Sequence, residues 1–250
     1  MGGPGERSGR TRVNAEEGEG AAMEENPTAP GYTGSLVQRA YDWLKGEIMA
    51  DRLAAGQTID DREIAADLGL SRTPVREAIQ LLRVEGFVEV MPRKGTRVAH
   101  ITLADLREVY QAITALEVES VVLAATRKPS ESELAPLRKA VADMVEARPG
   151  PDPTRWIKCD ERFHRGLLTL SGNRRIEQVG LGLRDYAQRA HIVASRLRPI
   201  PVASEQSHGE LIDLIAAGKV ETARKRHAEQ RRNGEVALIG AMERAGIRAL

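Results

Sequence analysis

The sequence predicts a mostly helical protein in two folded parts: three short helices closed by a β-hairpin, then a bundle of about six helices. Three observations carry this. Apolar residues recur at helical spacing from Val37 through most of the chain. Clusters of Gly, Pro, Ser and Lys interrupt that spacing at "KPS", "RPGPDP", "SGN", "RPIP" and "AGK". β-prone residues gather around a single basic turn, in "FVEVMPRKGTRVAHI".

Composition sets the outer bounds. With 250 residues, 41% of them hydrophobic, the chain has material for two modest cores. No apolar run approaches the roughly 18–20 residues that span a bilayer. The N-terminus has arginines but no apolar signal core, so a cytoplasmic protein with no membrane partner is expected. The single cysteine, Cys159, excludes an intrachain disulfide and agrees with a reducing compartment. A net charge of +1 gives no global pull towards nucleic acid, so any such pull has to be local.

Residues 1–34 are rich in Gly, Glu, Arg and Pro and nearly lack branched aliphatics, which predicts a disordered tail. Residues 35–101 form the first folded part and 102–246 the second. In the first, Val37, Ala40, Tyr41, Leu44 and Ile48 mark one helix and Gly56 a turn. Ile64, Ala65 and Leu68 mark a second helix, stopped by Gly69. Ser71 then reads as an N-cap and Pro74 sits in the first turn of a third helix, where its missing N–H costs little. Val75, Ala78, Ile79 and Leu82 make its core stripe. Arg72, Arg76 and Arg83 share a separate stripe, within roughly 40° of one another.

From Arg72 to Arg97 six basic residues face three acidic ones. Helix, tight turn, arginine-bearing helix and basic hairpin make a winged helix-turn-helix, whose last helix enters the major groove of double-stranded DNA. Arginine forks onto guanine O6 and N7, while Ser and Thr hydroxyls suit phosphate oxygens. One such helix reads few base pairs, so a homodimer on a palindromic site is expected.

The segment "DREIAADLGLSRTPVREAIQLLRVEGFVEVMPRKGTRV" resembles the DNA-binding domain of GntR family regulators. The resemblance implies that Arg62, Arg72 and Arg76 contact the operator, that Ser71 and Thr73 hold phosphates, and that Lys94 and Gly95 lie in the wing.

In the helical part, "CDERFHRGLLTLSGN" sets Asp160 and His164 four apart, about 40° around a helix. That spacing lets both reach one metal ion, and it serves equally for a surface pair or a core histidine. His208 and His227 lie on the last two helices, which a hairpin at Gly218 brings together. Carboxylate plus imidazoles suits Zn, Ni, Mn or Fe. Cys159 reads as a packed thiol, and "RKRHAEQRR" as a solvated helix face.

This part is similar to the FCD branch of the same family, in "DERFHRGLLTLSGN" and "HGELIDLIAAGKVETARKRH". The resemblance implies a small-molecule effector and a divalent transition metal on Asp160, His164 and His208. The family's last histidine falls 22 residues after the first in the final hairpin, which here is Gln230; either Gln230 or His227 fills the fourth position, or the site has three ligands. Many members also carry an arginine four residues before the glutamate of the first helix of this domain. Here that glutamate is Glu117 and the position holds Ile113, so the resemblance does not imply a small dicarboxylate or sugar acid. The expected function is a ligand-responsive transcriptional repressor. The alternatives are a metal-free pocket for an acyl thioester and a metal-dependent enzyme.

Overall fold

The computed structural model describes residues 35–92, 95–148, 153–195, 197 and 204–250. The expected tail and the hairpin tip at Arg93 and Lys94 lie outside the described residues.

The first part holds α1 (Leu36–Met49), α2 (Asp61–Leu68) and α3 (Arg72–Val84). Ser35 Oγ caps α1 by accepting from the Gln38 N–H at 3.1 Å, and the Asp60 carboxylate caps α2 by accepting from the Arg62 N–H at 2.8 Å. Gly69, at φ +64°, closes α2 in the left-handed conformation. Ser71 occupies the N-cap position of α3, but its side chain makes no capping bond. A cap of this kind receives the second or third helical N–H, and the third residue here is Pro74, which has none.

β2 (Val88–Met91) and β3 (Gly95–Val98) form the expected hairpin, with Val88 opposite Val98 and Met91 opposite Gly95. A strand the sequence pattern did not predict, β1 (Thr58–Ile59), pairs with β3 to give the order β1-β3-β2. Two residues are too few to show alternation. Ala40, Leu44, Ile48, Val75, Ala78 and Leu82 pack under Phe87 and Val98 as one core. Removing the α2 cap with Asp60→Ala should cost about 0.5–2 kcal/mol, read as a lower urea midpoint at unchanged slope.

The second part is a bundle of α4 (Leu103–Arg127), α5 (Glu131–Ala147), α6 (Pro153–Leu170), α7 (Arg174–Ser195), α8 (Ser204–Ala216) and α9 (Val220–Arg244). Thr102 and Asp105 exchange the two bonds of a capping box at the start of α4. α4 is central, against α6, α7 and α9. By length and composition alone α4 would pass for a membrane span, which the sequence reading did not anticipate. It instead forms the bundle core and buries an ionisable residue, Glu117, completely.

α7 joins the two parts. Lys45 Nζ on α1 lies 2.7 Å from Asp185 Oδ2 on α7 and 2.9 Å from Glu85 Oε2. The Tyr186 ring meets Phe87 edge-on at 6.1 Å. Arg189 Nη1 donates to the Ala99 carbonyl at 3.3 Å.

Candidate nucleic-acid interface and metal centre

Arg72 and Arg76 stand exposed on the first turns of α3, and both reach Asp61 at the start of α2. Arg72 Nη2 lies 3.1 Å from each Asp61 oxygen, and Arg76 Nε donates to Oδ2. Burial alone would raise the Asp61 carboxyl; the bonds from Arg76 and Arg72 outweigh it and hold it below the ordinary carboxylate range. The two guanidinium groups are thus oriented by a carboxylate before any DNA arrives. Asp61 is the functional residue the sequence reading missed, and its signal was an acidic first residue on the helix preceding the arginines.

Ser71, Thr73 and Arg62 are exposed around the same end of α3. Gly95 opens β3 at φ +85°. Lys94 is among the residues not described. Arg83 shares the stripe but lies eleven residues on, roughly 16 Å along the axis, and bonds Gln80 at 3.0 Å. Arg97 is engaged across the hairpin by Glu89 at 2.8 Å.

In the bundle, Asp160 and His164 of α6 and His208 of α8 converge, with a ligand atom of each within 4.8 Å of the others. His208 Nε2 is 3.0 Å from Asp160 Oδ1, and His164 Nε2 is 3.8 Å from Asp160 Oδ2. Behind them, Glu117 Oε2 lies 2.9 Å from His164 Nδ1. A carboxylate only accepts, so the His164 proton is on Nδ1 and the Nε2 lone pair faces Asp160. Burial pushes His164 down to about 3, against the pull of Glu117, so this imidazole is neutral. Burial would raise Asp160, but the His208 bond and the charge of Arg184 outweigh it and hold the carboxyl well below its usual range. A neutral nitrogen lone pair and an ionised carboxylate therefore face each other across a gap that a cation fits. The hydrogen-bonded carboxylate behind the imidazole fixes the tautomer a metal requires.

The two candidates for a fourth ligand stand elsewhere. His227 Nε2 turns to Glu117 Oε2 at 2.9 Å, and Gln230 Nε2 donates to Ser207 Oγ while its oxygen lies 3.3 Å from His227 Nδ1. The solvated-face reading of "RKRHAEQRR" is overturned at two positions. His227 is 0% and Arg231 5% exposed, because residues four apart share the inward face of α9. Arg184 on α7, buried and donating to Glu117 Oε1 at 2.5 Å and to Glu161, was not legible either. Burial would raise the Glu117 carboxyl, but Arg231, His164 and Arg184 outweigh it and keep the group ionised, well below its ordinary range. Cys159 is buried as expected, and its Sγ accepts from Arg162 Nη2 at 3.0 Å.

Residues 36–98 match the family described as bacterial regulatory proteins, gntR family, and residues 108–230 match the FCD domain. The chain is 31% identical over 189 residues to a "Probable D-xylose utilization operon transcriptional repressor" of Paenarthrobacter nicotinovorans, covering 76% of this chain and 82% of that one. It is 37% identical over 137 residues, 54% of this chain and 80% of the relative, to an HTH-type transcriptional regulator in the TAR-I ttuE-ttuC' intergenic region of Agrobacterium vitis. The crystal structure of a transcriptional regulator GntR from Rhodococcus sp. RHA1 superposes with TM-score 0.70 at 24% identity, over 83% of this chain and 99% of that one; it shares the fold.

Proposed function

The chain belongs to the gntR family of bacterial regulatory proteins and carries an FCD domain, and we propose that it is a cytoplasmic repressor that binds a palindromic operator as a homodimer under control of a small effector and a divalent metal. It is a DNA-binding transcriptional regulator rather than an enzyme. Arg72 and Arg76 are the base-reading candidates, Ser71 and Thr73 the phosphate ones, with Arg62, Lys94 and Gly95 flanking.

The observation that carries the regulatory reading is that α7 serves both places at once. Arg184 bonds Glu117 at the bundle centre, and the next residues hold Lys45 and Phe87 of the DNA-binding part. A ligand that displaces α7 tilts the DNA-reading helix relative to its two-fold mate.

Asp160, His164 and His208 would hold the metal, and Zn, Ni, Mn or Fe suits one carboxylate with two imidazoles. Bound there, the ion supplies an electrophilic centre for oxygen atoms of an effector. Three ligands leave positions for water or that effector, with Gln230 and His227 engaged elsewhere. Ionised Glu117, Arg184 and Asp160 around the site disfavour a metal-free pocket for an acyl thioester, whose chain needs apolar walls.

Selection of operators from a random duplex library tests the DNA reading: an inverted repeat should emerge, bound by a dimer in sedimentation. A monomer that binds one half-site as tightly as the full repeat would overturn it. Lys45→Met should leave metal binding intact but remove most of the difference in operator affinity between metal-loaded and chelated protein. Allosteric coupling of this kind is typically worth about 1–3 kcal/mol, and paired titrations by fluorescence anisotropy measure it.

A further inference from the structure

Residues 99–102 join the two folded parts, between β3 and α4. A connection this short leaves relative motion of two domains as the default unless something holds it. On one side Arg189 of α7 donates to the Ala99 carbonyl at 3.3 Å. On the other stands the segment that follows α9. Gly246, at φ +71°, takes the left-handed conformation just past the helix and turns the chain back. Residues 247–250 then run antiparallel to the linker, with Ala249 opposite Thr102. The Ile101 N–H donates to the Leu250 carbonyl and the Leu250 N–H to the Ile101 carbonyl, at 2.9 Å each, and the Leu103 N–H reaches the Arg248 carbonyl at 3.3 Å.

The contact is packed as well as bonded. Ile101 is 1% exposed and shares an apolar cluster with Leu238, Ile239 and Met242 of α9, against which Ile247 and Leu250 pack. With its side chain buried, the backbone of Ile101 needs partners inside the protein, and Leu250 supplies both. Arg107 of α4 bonds Glu243 on the last turn of α9, so the end from which residues 247–250 spring is itself anchored. The same helix places His227 on Glu117. α9 thus runs from the bundle centre to the linker.

We propose that residues 247–250 are a strap that fixes the linker and thereby sets the half-site spacing the regulator accepts, which rests on the reading of the protein as a dimer on an inverted repeat. One base pair more or less between half-sites moves the second site by about 3.4 Å along the duplex and about 35° around it. A swing at residues 99–102 lets α3 follow such a change, and a pinned linker does not. The contacts from α7 to the DNA-binding part are made by side chains, which follow a small shift by changing rotamer. The strap bonds the backbone of the linker itself.

Wild type and a variant lacking residues 248–250 are compared by anisotropy at fixed salt, on a single half-site and on the selected inverted repeat with its spacer shortened or lengthened by one and two base pairs. Linked sites gain on the order of 10²–10⁴ over one site and lose the gain where geometry forbids both engaging, so wild type should fall towards half-site affinity on the altered spacers. The deletion should keep half-site affinity and bind all spacers within about tenfold of one another. Hydrogen exchange at the Ile101 and Leu103 amides, slow in wild type, should accelerate in the deletion without DNA. Should the deletion fail to fold or lose half-site affinity, Leu250→Pro decides: it removes the N–H that the Ile101 carbonyl receives and should broaden spacing in the same sense. An inverted repeat bound with one spacing preference by wild type and variants alike overturns the strap and leaves the operator reading standing, as does equally fast exchange of the two amides in all forms. Selection that yields no inverted repeat overturns both.

Discussion

Arg72→Ala and Arg76→Ala are each expected to lose about 1–3 kcal/mol of affinity for a selected operator, measured by anisotropy at fixed salt. The loss should be larger on the operator than on random duplex, because a bidentate contact to a base edge discriminates whereas a phosphate contact does not. Asp61 sharpens the expectation. It holds both guanidinium groups in the free protein, so binding exchanges one set of acceptors for another and the net gain depends on geometry. Asp61→Ala should therefore raise affinity for random duplex by removing a negative charge, while narrowing the ratio of operator to random binding because the forks lose their orientation. Equal losses on operator and random duplex for Arg72→Ala would reassign Arg72 to the phosphates. No loss at all would remove it from the interface.

What the sequence made legible was whatever lies within one element. The core stripe and arginine stripe of α3 follow from its own periodicity, and Asp160 and His164 are paired by one turn of α6. Glu117, Arg184 and Arg231 come from three further helices, and their meeting is a property of packing that no local pattern encodes. The cation-rich stretch of α9 misled because a count of charges ignores phase: His227 and Arg231 face inward while Arg224 and Arg232, before and beyond them, face out. Strand β1 went unseen for a related reason, since its two residues are held by β3 and not by a pattern of their own. At Ser71 local chemistry was read incompletely: the proline that eases the helix start also removes an N–H the cap would use.

His164→Ala should abolish stoichiometric binding of Zn, Ni or Mn and with it the stabilisation those ions confer. An ion present at a hundred times its Kd stabilises by about 2.7 kcal/mol, so the wild-type Tm should fall on chelation and the variant's should not move. His164 is the decisive position because it faces both ways, with Nδ1 on Glu117 and Nε2 on Asp160. Its loss removes a ligand and also leaves Glu117 one donor short, so apo stability should fall as well. Glu117→Gln separates the two effects: it keeps the ligand atoms but gives up the charge that sets the tautomer, and metal affinity should weaken by about 10–100-fold without disappearing. His227→Ala should spare metal binding, since that ring spends its Nε2 on Glu117. Gln230→His adds an imidazole where an amide now bonds Ser207 and should tighten the site, because imidazole is the better donor to a transition metal. Wild-type protein that takes up no ion, and gains no stability from any, would leave Asp160, His164 and His208 as a hydrogen-bonded cluster.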